Sequence, residues 1–323
     1  MARDGEQLAF PGWMDSPLLG KVKNERTLMV WSLFSLSKDK VVSLPPYDDG
    51  TVKIKVTGSA EHGVATCYDK DVLIYLASLL QDKLNRGETP SPTLVFTAND
   101  WARVVGVRAA GTAYDRLLGA LMRLKTTTVL TNIETGGEGE DSAFSWLSDY
   151  KVRYRRDSRT GEKVMHGIKV TLCDWVYRAV LRDRRMLTYD PAYFSLSPLE
   201  RRLYEIARAH CGKQRGFKMG IEKLRLRAGV RSELKDFKRD LVKLSKCKNP
   251  LPGYGLSVID PRKRIPHKDA PKPTGRTPLK AHMVFFYSTD RLAHMPTYDQ
   301  TPDLSDADPF AGLNNDLGTE AMA

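Results

Sequence analysis

One order of elements occurs twice along this chain: helix, short strand, helix, helix, then a β-hairpin. In the first copy Asp69 reads as a helix cap. Val72, Leu73, Leu76, Leu79 and Leu80 follow at helical spacing, and Arg86-Gly87 is the stop. Residues 94–96 form a short strand. Thr97-Ala98-Asn99-Asp100 has the form of a capping box, in which the hydroxyl accepts an early helix amide and the acid three residues on reaches back. Thr112-Ala113-Tyr114-Asp115 repeats that signal ahead of a helix that runs to about Leu124. Residues 126–134 are rich in β-branched side chains and meet Gly136-Gly137. Strands are expected at 144–155 and 164–172, with Gly161 in the turn between them.

The second copy opens at Ser197-Pro198-Leu199-Glu200, with a Ser cap, Pro at the first helical position and Glu at the third. Leu203, Ile206 and Ala207 face inward, and the helix ends near Gly212. A short strand at 217–219 and a helix over 221–228 lead to Gly229. Ser232 opens a further helix to about Ser245, which Pro250 and Pro252 terminate. Strands at 256–259 and 283–287 flank a Pro- and Lys/Arg-rich loop. This order is that of a winged helix. The expected fold class is α+β, with two tandem winged-helix domains. Residues 24–190 form the first, serving dimerisation, DNA contact or both. Residues 191–290 form the second, the principal DNA-binding unit. A flexible arm (1–23) precedes them and a disordered acidic tail (291–323) follows. Ahead of the first copy, residues 26–37 read as a buried strand or short helix. Residues 52–56 alternate as a half-buried strand does. Segments 175–181 and 186–196 join the domains.

Charge narrows the function. Lys and Arg number 51 against 39 Asp and Glu, a net +12. The last 25 residues hold six acids (Asp299, Asp303, Asp306, Asp308, Asp316, Glu320) and no Lys or Arg, so the first 298 residues carry +18. A body with that excess attracts a polyanion, although a solvated surface has the same composition, so clustering decides. On the helix after Ser232, at ~100° per residue, Leu234, Phe237, Leu241 and Leu244 share one narrow face. Lys235, Arg239 and Lys243 lie opposite, Arg231 and Lys238 sit on the near edge, and Glu233, Asp236 and Asp240 form a separate strip. The preceding helix adds Lys223, Arg225 and Arg227. The hairpin region adds Lys246, Lys248, Arg262, Lys263 and Arg264. Cations on a helix that fits the major groove can meet guanine edges and phosphates, whereas those on a wing track the backbone. In the first domain Leu117, Leu121 and Leu124 pack inward and Arg116 and Arg123 are expected to face out. That helix suits DNA and a protein interface equally well. Its hairpin, with Lys151, Arg153, Arg155, Arg156 and Arg159, suits phosphate contact.

Signals for chemistry are absent. The sequence has no GxxxxGK[ST] loop, no GxSxG and no His-x-His pair. Tyr68, Tyr75, Tyr114 and Tyr204 lie in helix or cap contexts and read as core, and His210-Cys211 is at most a weak metal hint. Cys67, Cys173, Cys211 and Cys247 are far apart with no CxxC, so four reduced thiols are expected, and no cofactor or metal. No run of 18 apolar residues and no signal pattern occurs, so a non-enzymatic cytoplasmic protein without a membrane partner is expected.

Several stretches together resemble the plasmid replication initiator protein A family, the RepA-type initiators of bacterial plasmids. They are His62-Gly-Val-Ala-Thr-Cys-Tyr-Asp-Lys-Asp-Val-Leu-Ile-Tyr75, Leu84-Asn-Arg-Gly87, Thr131-Asn-Ile-Glu-Thr-Gly-Gly137, Thr171-Leu-Cys-Asp-Trp175 and Pro198-Leu-Glu-Arg-Arg-Leu-Tyr-Glu-Ile-Ala207. The resemblance runs from about Arg26 to Tyr287. Where the family more usually has Ile-His, this chain has Cys67-Tyr68. The resemblance implies a theta-type initiator with tandem winged helices. Such a protein binds double-stranded repeats at its origin, helps open it and recruits the host replicative helicase, with the host initiator a further partner. Related initiators dimerise through the first domain and repress their own promoter. A winged-helix repressor with no replication role, and a nicking or primase-type enzyme, are the alternatives.

Overall fold

The computed structural model describes residues 14–108, 111–137, 141–156, 158–159, 161, 163–212, 214, 216–261 and 277–292. A short strand, β1 (Lys23–Glu25), runs into a one-turn helix, α1 (Arg26–Val30), then β2 (Tyr47–Asp48) and β3 (Lys53–Thr57). The first repeat follows as α2 (Lys70–Asn85), β4 (Thr93–Phe96), α3 (Ala98–Val104) and α4 (Gly111–Thr126). Two inserted strands, β5 (Thr128–Thr131) and β6 (Ser142–Ser145), precede the hairpin that completes this repeat, β7 (Leu147–Arg156) and β8 (Lys163–Leu172). After α5 (Asp174–Arg178) and β9 (Met186–Thr188), the second repeat is α6 (Pro198–Cys211), β10 (Gly216–Gly220), α7 (Ile221–Ala228), α8 (Leu234–Ser245), β11 (Tyr254–Ile259) and β12 (Met283–Ser288). A last turn, α9 (Thr289–Leu292), ends the described chain.

The repeats close their sheets in the same way. Strand order is β4-β8-β7 in the first and β10-β12-β11 in the second, with every pairing antiparallel. The first half also carries a four-stranded sheet, β2-β3-β5-β6. The strand expected over 144–155 is therefore two strands. The chain changes sheets at Trp146, whose fully buried ring stacks on Phe34 at 4.8 Å between centroids. Burial follows the apolar periodicity: Leu73, Leu76, Leu80, Phe237 and Leu241 are all within 1% of full burial.

Local signals held unevenly. Ser197 and Glu200 form the reciprocal box, with the Glu200 carboxylate accepting from the Ser197 amide at 2.8 Å. Thr97 accepts from the Asp100 amide at 3.2 Å, but Asp100 turns away to take the Leu18 amide (2.8 Å) and the Tyr75 hydroxyl (2.7 Å). Thr112 lies inside α4, and α8 starts at Leu234 with Glu233 rather than Ser232 at its cap. Asp69 is no side-chain cap, because its carboxylate is taken by Thr66 and Arg123.

The arm expected at 1–23 is not loose over its described part. Asp15 adds to the edge of β4, exchanging hydrogen bonds with Val95, and pairs with Lys83 at 2.5 Å. Leu18 is buried, and β1 pairs with β9. The expected tail lies outside the described residues from 293 onward.

The boundary at residue 190 separates the two repeats but not two cores. One continuous apolar cluster spans both halves, and buried charges cross between them. The one-turn helix α1 ends with carbonyls that have no partner of their own. Lys70, from the first repeat, donates to the Leu28 carbonyl at 2.7 Å. Arg202, from the second, donates to the carbonyls of Met29 and Val30. The two cations meet at Glu205, which lies 2.6 Å from the Lys70 ammonium and also accepts the Tyr189 and Tyr193 hydroxyls at 2.8 and 3.0 Å. Beside them Arg201 binds Asp71 at 2.6 Å, and Arg116 reaches the same carboxylate at 3.0 Å. Gly229 (φ +69°) is required at this seam, because a Cβ there would fall 1.9 Å from the Ser32 hydroxyl.

Two stability measurements test this seam. Removing one partner of a buried pair leaves a buried charge uncompensated, at a cost of about 3–5 kcal/mol. Asp71→Ala should lose about that much in a urea melt, and a loss below about 1 kcal/mol would contradict the assignment. Glu25, fully buried, accepts the Thr27 and Leu28 amides at the start of α1, and desolvation lifts its carboxyl to about 7. A carboxyl raised on folding favours the folded state while protonated. Its contribution is full below the ordinary value of about 4.5 and is lost as pH rises through about 7. Stability should therefore fall by up to about 3 kcal/mol between pH 5 and 8 from this group. Glu25→Gln, which keeps the acceptor, should flatten that slope, and an unchanged slope would refute the assignment.

Candidate DNA interface

Helix α8 is held in the second repeat by Phe237 and Leu241, with Leu234 and Leu244 half-buried on the same face. The amphipathic spacing therefore fixes what faces out. Lys235, Arg239 and Lys243 are exposed along the opposite face, with Arg231 at its start and Lys246 and Lys248 beyond its end. Among the described residues the side chains of Arg231, Lys235 and Lys243 have no hydrogen-bond or ion-pair partner. Arg239 does have partners. Its guanidinium lies 2.6 Å from Asp236 and 3.8 Å from Asp240, so the acidic strip next to it is in contact rather than apart.

Neighbouring elements add to this face in different degrees. Lys238 is half-buried, with its ammonium 2.6 Å from Nε2 of His282. The His282 Nδ1 faces the carbonyls of Pro278 and Leu279 at 3.1 and 3.2 Å. Two acceptors there place the ring proton on Nδ1 and leave Nε2 to accept from Lys238. Lys223 on α7 is exposed. Arg225 closes the α7–α8 connection by donating to the Ser232 carbonyl at 2.9 Å. Lys280, which the sequence reading missed, is exposed just before β12 and pairs with Glu222 at 2.8 Å. Arg262, Lys263 and Arg264 lie outside the described residues.

Three arginines expected on DNA-facing surfaces point elsewhere. Arg227 is 3% exposed, with its guanidinium carbon 3.8 Å from the Trp31 ring centre and its Nη2 3.3 Å from Asp49, so it ties α7 to the first half. Arg123 forks onto Asp69 at 2.7 and 2.8 Å, and Arg116 binds Asp71. Both hold α4 to the start of α2. What α4 presents to solvent is Thr112, Asp115 and Leu118, which is not a cationic face. On the first hairpin Lys151, Arg153, Arg156 and Arg159 are exposed, and Arg156 donates to the Gly161 carbonyl at 3.2 Å. The Arg155 side chain lies outside the described residues.

Several side chains with catalytic potential are buried in the core. The Tyr75 and Tyr204 rings are buried, and Tyr68 lies under the Arg201 guanidinium at 4.7 Å. His210 packs beside Phe217. Burial first, and then Arg26, Arg227, Arg202 and Lys223, hold its imidazole at about 3, so it stays neutral. Cys67, Cys173 and Cys211 are buried free thiols, and Cys247 is an exposed one. Among the described residues no helix is long and apolar enough to cross a membrane.

The chain is 34% identical over 245 residues to a Wigglesworthia glossinidia brevipalpis protein named "Putative replication protein", a match spanning 75% of this chain and 86% of that one. Its fold is similar to the crystal structure of domains 2 and 3 of RctB, with a TM-score of 0.54 at 16% identity. That match covers 79% of this chain and 94% of the other. The profile of the Replication initiator protein A family matches residues 23–256, from the strand that begins the core to the middle of β11, and the chain belongs to that family.

Proposed function

We propose that this protein starts plasmid replication by binding double-stranded repeats at its origin, with α8 of the second half in the major groove. In this reading both halves are winged helices. The connection between β11 and β12 is the wing that tracks the phosphate backbone, and the protein does no chemistry on the DNA. One observation carries it. Lys235 and Lys243 lie on the face of α8 opposite a buried Phe237 and Leu241, with Arg231 exposed just ahead of the helix, in a unit whose helix and strand order suits groove insertion. The family membership supports the replication role.

The first half has a different task. The inward turn of Arg116 and Arg123 leaves α4 with an apolar and acidic face, which favours a protein contact, such as a homodimer, over DNA. Its basic hairpin remains suited to phosphates. Recruitment of the host replicative helicase and host initiator, and repression of the protein's own promoter, follow from the family likeness alone.

Each side chain of α8 that reads a base should be worth about 1–3 kcal/mol. The double substitution Lys235→Ala, Arg239→Ala should therefore weaken binding to repeats flanking the gene by at least tenfold, as measured by fluorescence anisotropy. The affinity of a random duplex should drop less. Equal affinity of the variant and the parent for the repeats would sink the assignment of this helix.

A further inference from the structure

The cationic face of α8 has a second candidate occupant within the same chain. We infer that the acidic segment from Asp299 to the end of the chain docks on this face in the absence of DNA and competes with DNA for it. The inference rests on the assignment of that face to DNA, and three observations support it.

The first is charge. The segment carries six acids and no Lys or Arg, while the face presents Arg231, Lys235, Lys243 and Lys246 with no side-chain partner among the described residues. The second is that the face already takes carboxylates, since Arg239 is drawn onto Asp236 and Asp240 of its own helix. The third is reach. His282 touches Lys238 of α8 and directly precedes β12, and the chain then runs through β12 and α9 to Leu292. The six residues of β12 span roughly 20 Å and the single turn of α9 about 6 Å, which bounds the separation of Leu292 from the His282 contact at under roughly 30 Å. A further 31 residues follow Leu292. A fully extended chain spans at most about 3.3–3.6 Å per residue, so the 14 residues from Leu292 to Asp306 can bridge up to roughly 45–50 Å. The length of chain therefore suffices for the acidic segment to reach the face, the geometric condition for a tethered ligand to engage its site.

Competition of this kind stabilises the free protein. It therefore lowers the affinity for specific and random DNA by one common factor and leaves their ratio unchanged. Its strength falls with salt, because exposed charges are screened over about 10 Å at 0.1 M.

The test uses the full chain, a chain lacking residues 299–323, and a full-length variant with D299N, D303N, D306N, D308N, D316N and E320Q. Each is made with and without Lys235→Ala and Lys243→Ala. At about 50 mM salt the truncated and neutralised proteins should bind a random duplex about three- to tenfold more tightly than the full chain, with the gain fading by about 0.5 M. The gain should vanish in the lysine-substituted background. Without DNA, truncation should shift the backbone amide resonances of residues 234–245. No gain at low salt, or a gain that persists without the two lysines, would overturn the inference. If the two lysine substitutions leave DNA binding by the truncated protein unchanged, the DNA assignment fails instead. The amide shifts then still report whether the segment covers α8.

Discussion

The two halves of this molecule are built around one short helix whose last carbonyls are satisfied by a cation from each side. Lys70 takes the Leu28 carbonyl, Arg202 takes those of Met29 and Val30, and Glu205 holds both cations. The Lys70, Arg202 and Glu205 side chains are all buried, so each is costly unless every partner is in place. Arg201 on Asp71 and Arg227 against Trp31 and Asp49 extend the same logic outward. The consequence is geometric. A seam of directional buried bonds fixes how the second repeat sits on the first, and so fixes which surface α8 turns to solvent.

This seam also joins two stretches that looked unrelated in the sequence. Asp69-Lys70-Asp71 begins α2, and Arg201-Arg202 with Glu205 lies on α6, more than 120 residues later. Both belong to the runs that carry the family likeness, and both contribute to one buried cluster. Their contacts join the two halves.

How far the sequence could be read depended on where each residue's partner lay. The order of elements, the capping box at Ser197 and the core stripe of α8 were legible because each is set by neighbours within one or two turns. The strand expected over 144–155 was not, because its break at Trp146 is imposed by Phe34 and Trp175 from distant segments. The arginines divide in the same way. Lys235 and Lys243 lie on a face that the local Leu and Phe pattern fixes. Arg116, Arg123 and Arg227 occupy helix positions that look equally exposed by phase, but their acids are Asp71, Asp69 and Asp49, which only the tertiary fold brings near. Charge phase along one helix could not separate an arginine that meets solvent from one that holds a neighbouring helix.

The most direct test of the account is site-directed cross-linking to origin DNA from single substitutions that carry a photoreactive probe. Lys235→Cys and Lys243→Cys sample the proposed groove face, and Asp115→Cys samples the exposed face of α4. On a background with Cys247→Ser, the account predicts strong cross-links to the repeats from positions 235 and 243 and weak or none from 115. Cross-links concentrated at 115, with none from α8, would contradict it.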